Sequence, residues 1–141
     1  MVLDTNVCLD LFVFGDPRCA DLLAALRGGR VEAVTRDDCR AEWLAVLAYP
    51  QLALVPERRA QAAAAFDACV RCVSPAQATD VGQRLPRCAD PDDQKFLELA
   101  AAANATALLS RDDALLRLAR RTARDGLFAI LSPKAWREAL S

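Results

Sequence analysis

Several acidic residues stand where they could act on one substrate. Asp4 follows the short apolar run Val2-Leu3, and Asp112 follows Ala107-Leu108-Leu109 across the polar turn Ser110-Arg111. Both runs read as strands, so both carboxylates fall at the carboxyl ends of strands, where α/β proteins collect their functional groups. Asp90, Asp92 and Asp93 crowd the start of a helix. An Asp there is ordinarily a cap or a dipole partner. At about 100° per residue, however, Asp93 falls in line with Phe96, Leu97, Ala100 and Asn104, the apolar face. Asp93 is therefore expected to point inward, with Asp92 rotated away and Lys95 and Glu98 toward solvent. Glu42 borders the face formed by Cys39, Trp43, Val46 and Leu47. Helical phase leaves two readings open for it, a solvated rim carboxylate or a member of the cluster.

Carboxylates converging on one point repel each other, and a divalent cation removes that cost. Hard oxygen ligands suit Mg²⁺ or Mn²⁺. Such a site can activate water and steady the leaving oxygen of a phosphodiester. The chain has no His, so a cation-activated water is the best nucleophile it can generate near neutral pH.

The elements that would position these groups alternate between strand and helix. Strands are expected at Val2-Leu3, at residues 31–34, at Ala107–Leu109 and at residues 128–131. Helices are expected over residues 16–27 and from a cap at Thr35 to about Tyr49. Others run from Pro56 to near Cys72, from Pro91 to about Asn104, over about 113–124, and from Pro133 onward. The stretch 73–91, with Pro75, Gly82, Pro86 and Pro91, reads as loop. This alternation implies a parallel sheet with helices on both faces. With 141 residues and no linker or repeat, the chain reads as one domain over residues 1–141.

Net charge is −1, which gives no global attraction to nucleic acid, so an RNA contact would have to use a local patch. Sixteen of the eighteen basic residues are Arg, the residue that grips phosphate bidentately. Arg111, in the turn before Asp112, is placed to hold a substrate phosphate. The six Cys read as small buried hydrophobes of a reducing compartment, with the Cys69–Cys72 pair closing an Ala-rich helix. No apolar run approaches the roughly 18 residues of a membrane span. The N-terminus has no basic region ahead of an apolar stretch, and the expected location is cytoplasmic.

Val2-Leu3-Asp4-Thr5-Asn6, Glu42-Trp43-Leu44 with Leu47 and Pro50, residues 90–100 (DPDDQKFLELA) and Leu108-Leu109-Ser110-Arg111-Asp112 occur in that order across nearly the whole chain. In these blocks the chain resembles the PIN-domain family, and most resembles its bacterial branch of toxins from toxin–antitoxin pairs. The resemblance implies a three-layer α/β/α sandwich with a central parallel sheet and a Mg²⁺- or Mn²⁺-dependent endoribonuclease acting on single-stranded or structured RNA. It matches Asp4, Glu42, Asp93 and Asp112 to the family's metal-binding, catalytic acids, and Asn6 and Ser110 to supporting polar positions. Asp90 and Asp92 would assist. It also implies an antitoxin partner and a homodimer. Ala114 stands where this branch often carries a further acid.

Two other classes compete. A PIN fold can dock RNA or protein without cutting, but all four acidic positions are filled here. A phosphoryl-transfer enzyme with an Asp nucleophile of the haloacid-dehalogenase type would place a second Asp two residues after the first, where this chain has Asn6.

Overall fold

The computed structural model describes residues 1–74 and 85–139. Five short strands, β1 (Val2–Leu3), β2 (Ala33–Thr35), β3 (Val70–Cys72), β4 (Ala107–Leu109) and β5 (Ala129–Leu131), form one sheet in the order β3-β2-β1-β4-β5. Every pairing is parallel, with Val2 opposite both Val34 and Leu108, and Leu108 opposite Ile130. The helices are α1 (Thr5–Leu9), α2 (Ala20–Arg27), α3 (Asp37–Leu47), α4 (Pro56–Cys69), α5 (Gln94–Ala102), α6 (Asp113–Leu116), α7 (Ala119–Arg124) and α8 (Pro133–Ala139).

The period of two along each strand sorts the core into two layers. Val2, Val34, Leu108 and Ile130 face one way, into a cluster with Phe96, Leu97 and Ala100 of α5 and Leu115 of α6. Leu3, Ala33, Val70 and Leu109 face the other way, against Val7, Leu22, Trp43, Phe66 and Trp136. Helices therefore cover both faces, and the inner strands β1, β2 and β4 are buried on both sides, while the edge strand β3 exposes Arg71 and Cys72. Within the second layer Trp43 stacks on Phe66 at 5.3 Å, and Phe12 meets both edge-on. That cluster fixes α3, and with it the rotation of Glu42.

Several elements differ from the sequence expectation. Val70–Cys72 is the edge strand β3, not the end of a helix, so the cysteine pair spans a helix terminus and a strand. Cys72 is exposed and Cys69 half-buried, while Cys8, Cys19, Cys39 and Cys88 are buried. Residues 5–14, which carry no helix signal in the sequence, form α1 and a π-helical turn over Asp10–Phe14. The helix expected over 16–27 opens with a 3₁₀ turn at Pro17–Cys19, and the one over 113–124 is broken into α6 and α7. Thr35 lies buried inside β2 instead of capping a helix. The N-cap position of α3 is Arg36, and the Asp38 carboxylate accepts from the Cys39 amide. Asn104 lies beyond α5, exposed, with φ of 53°. The expected loop at 73–91 falls partly outside the described residues.

Candidate active site

Asp4 is placed by the strand that precedes it. Its amide donates to the Leu109 carbonyl at 2.9 Å, one step past the β1–β4 ladder, and its carbonyl accepts from Val7 and Cys8 to start α1. Ser110 is fixed in the same way at the end of β4, with its amide on the Leu131 carbonyl. The Ser110 hydroxyl donates to Asp4 Oδ2 at 2.6 Å and accepts from the Asp112 amide at 2.9 Å. Asn6 donates to Asp4 Oδ2 at 3.3 Å and accepts from the Arg111 amide at 3.2 Å. These two polar side chains tie the end of β1 to the end of β4, 106 residues apart.

Asp112 caps α6 through the Ala114 amide. Asp93 ends the 3₁₀ turn Pro91–Asp93 and points inward, 8% exposed, as its helical phase predicts. Asp4, Asp93 and Asp112 each offer a carboxylate oxygen within 4.8 Å of the others. In the ionised form, Oδ2 of Asp93 is buried and no donor among the described residues faces it. Burial pushes the Asp93 carboxyl up to about 8, helped by Asp112, which accepts its proton, and by the negative charges of Asp4 and Asp112. Burial also raises Asp4, against the opposing hydrogen bonds from Ser110 and the Thr5 amide. An orphaned buried oxygen among hard, mutually repelling oxygens calls for a proton or a cation. The three acids thus fit a small divalent ion of the Mg²⁺ or Mn²⁺ class.

Glu42 stands beside this triad but is not one of the three converging acids. One oxygen accepts from Lys95 Nζ at 2.8 Å, and the other takes the Thr5 hydroxyl. Lys95 also donates to the Asp92 carbonyl. The sequence places Lys95 on the solvent side of α5, yet its side chain is only 17% exposed. Helical phase gives the direction of its Cβ, but the side chain curls back along α5 to reach α3, as a long aliphatic stem permits. Burial alone would lower its ammonium; the hydrogen bond and charge of Glu42 outweigh that and hold it above its ordinary value. Glu98, also expected toward solvent, is half-buried and pairs with Arg36 at 3.6 Å. Asp90 and Asp92 are exposed; Asp90 accepts from the Asp92 amide as a local cap.

Arg111 does not hang free for a ligand. Its guanidinium makes two hydrogen bonds to Asp10, at 2.6 and 3.2 Å, and Asp10 is 5% exposed. Asp10 and Thr5 are not among the residues that sequence reasoning picks out. Asp10 has a visible signal, because it interrupts the apolar run Leu9–Phe12 with a charge, and a charge in such a run is buried only when paired.

The Lys95–Glu42 pair is mostly enclosed, so a double-mutant cycle of Lys95→Ala and Glu42→Gln should return a coupling of about 1 kcal/mol in thermal stability. A coupling near zero would return both side chains to the solvated rim.

No helix among the described residues is long and apolar enough to cross a membrane. No curated protein and no solved structure matches the chain significantly. A family model described as the PIN domain matches residues 1–114, from the first strand through Asp112. PIN domains are generally nucleases that bind nucleic acid and use divalent metals. With a five-stranded parallel sheet covered on both faces and an acidic cluster at its carboxyl edge, this chain belongs to the PIN-domain family.

Proposed function

We propose that the protein is a Mg²⁺- or Mn²⁺-dependent endoribonuclease that hydrolyses phosphodiester bonds of single-stranded or structured RNA. The observation that carries this reading is the convergence of Asp4, Asp93 and Asp112 around an acidic oxygen with no donor facing it among the described residues. These three residues would hold the cation, which when bound polarises water and phosphate and offsets developing negative charge.

The chain's own groups have distinct tasks. Ser110 and Asn6 keep Asp4 oriented toward the cluster. Asp112 keeps one oxygen on the α6 cap, which fixes its rotamer. Glu42, the fourth acid, is held at the edge of the cluster by Thr5 and Lys95. From there its carboxylate orients water or substrate toward the triad. Resemblance to the bacterial toxin branch supports a cytoplasmic toxin restrained by an antitoxin and assembled as a homodimer. The absence of His argues against hydrolysis by an imidazole acid–base pair.

Purified protein incubated with labelled RNA is expected to cut it in Mg²⁺ or Mn²⁺ and to stop in EDTA. Cleavage undiminished by EDTA would overturn the metal-dependent mechanism.

A further inference from the structure

The sequence requires any RNA contact to come from a local patch, because net charge is −1. Several basic groups elsewhere are committed: Arg18, Arg36, Arg40, Arg71 and Arg137 are paired with acids. The segment leaving the acidic site is different. Asp112 caps α6, and α6–α7 then carries Arg117, Arg120, Arg121 and Arg124, all exposed. Leu115 and Thr122, both fully buried, mark the opposite side of the same segment. Arg120, Arg121 and Arg124 recur at spacings of three and four on the exposed side of α7, and Arg117 stands exposed at the turn between α6 and α7. Arg124 leans weakly on Asp125 at 3.4 Å. Arg117, Arg120 and Arg121 have no acidic or hydrogen-bonding side-chain partner among the described residues.

Like charges packed on one helical face cost stability unless something neutralises them. Within α7 (Ala119–Arg124) the rise from Arg120 to Arg124 is roughly 6 Å at about 1.5 Å per residue, and Arg117 extends the row beyond the start of that helix. Along a stacked duplex each nucleotide of one strand advances about 3.4 Å on the axis, and an unstacked single strand advances further, so the row meets a few phosphates at most. Guanidinium is the group best matched to phosphate oxygens, and the segment that carries the row starts from Asp112 of the triad.

We infer that the outer face of α6–α7, through Arg117, Arg120 and Arg121, is the track for the sugar–phosphate backbone of single-stranded RNA entering or leaving the acidic site. This rests on the nuclease reading for its direction, but binding can be tested without cleavage. A fluorescent single-stranded RNA of about 20 nucleotides, long enough to cover such a site, is titrated in EDTA at several salt concentrations. The triple variant Arg117→Gln, Arg120→Gln, Arg121→Gln should bind at least 10-fold more weakly. Its log–log salt slope should be shallower by about 2, since each neutralised phosphate of a single strand contributes about 0.7 to that slope. The triple Lys variant keeps the charges and should retain the wild-type slope, which also guards against a folding defect in the Gln variant. If the Gln variant binds with wild-type affinity and slope, the track is overturned and an acidic protein becomes the better occupant. Wild type with no affinity for RNA also overturns it. RNA that binds through these arginines but is never cut would sink the nuclease reading and leave the track standing.

Discussion

Asp93→Asn should make the metal-free protein more stable, not less. An ordinary carboxylate at a helix start loses a favourable dipole interaction on this change, at a cost of a few tenths to about 1 kcal/mol. Asp93 differs because it is buried against Asp4 and Asp112, with Oδ2 facing no donor among the described residues. At pH 7.5 wild type must, on folding, either take up a proton at this carboxyl or bury its charge beside Asp4 and Asp112; the neutral amide avoids both and should raise stability in EDTA by at least about 1 kcal/mol. The cation response should move the other way. At free Mn²⁺ 100-fold above Kd, wild type gains about 2.7 kcal/mol, and the variant should gain less than half of that, since one of three anionic ligands becomes a neutral amide. The pH dependence has a definite sign. The folded carboxyl is raised to about 8, so between roughly pH 4 and 8 the folded state holds a proton that the unfolded chain has released. Stability of metal-free wild type therefore falls as pH rises through that window, and Asp93→Asn should lack most of the fall. Thermal melts in EDTA and in Mn²⁺ at pH 5 and 7.5 decide it. A variant destabilised in EDTA that gains as much from Mn²⁺ as wild type would remove Asp93 from the cluster.

The inward turn of Asp93 is legible from periodicity alone, and it shows what kind of information a sequence carries. Phe96, Leu97 and Ala100 fix a helical face over two turns, and Asp93 shares it. The strands Val2–Leu3 and Ala107–Leu109 are also readable, because a buried parallel strand is a short continuous apolar run. What escapes is local and short. Val70–Cys72 has three residues, too few to establish a period of two, and it follows directly from an Ala-rich helix. The π-helical turn after α1 leaves no spacing signature, since Val7–Phe14 is apolar at almost every position. Lys95 escapes for another reason: periodicity locates a Cβ, whereas a four-carbon stem decides where the ammonium goes. Glu42 cannot be settled by phase because its place depends on Thr5 and Lys95, 37 and 53 residues away.

The same limit applies to Arg111, and it reverses the effect expected of its removal. In the sequence it is an arginine beside a candidate catalytic acid, which suggests a phosphate ligand whose loss weakens binding and spares the fold. In the structure it is, among the described residues, the hydrogen-bonding partner of the Asp10 side chain, held in a two-pronged contact between the turn after β4 and the turn after α1. Asp10 has 7% of its side chain exposed, against 44% for Arg111. Truncating the exposed partner therefore strands the buried one. Removing one member of a fully buried pair costs about 3–5 kcal/mol, and water reaching the Arg111 side reduces this to about 2 kcal/mol. Arg111→Ala should accordingly lower stability by about that much, and Asp10→Asn in the same background should recover at least half of it by removing the stranded charge. The effect must also reach the acids, because the Arg111 amide is bound by Asn6, and Asn6 holds Asp4. A loosened turn would weaken Mn²⁺ stabilisation along with the fold. Chemical denaturation of wild type, the two single variants and the double variant measures the coupling directly. Unchanged stability in Arg111→Ala, accompanied by weaker RNA binding, would restore Arg111 to the role of a phosphate ligand.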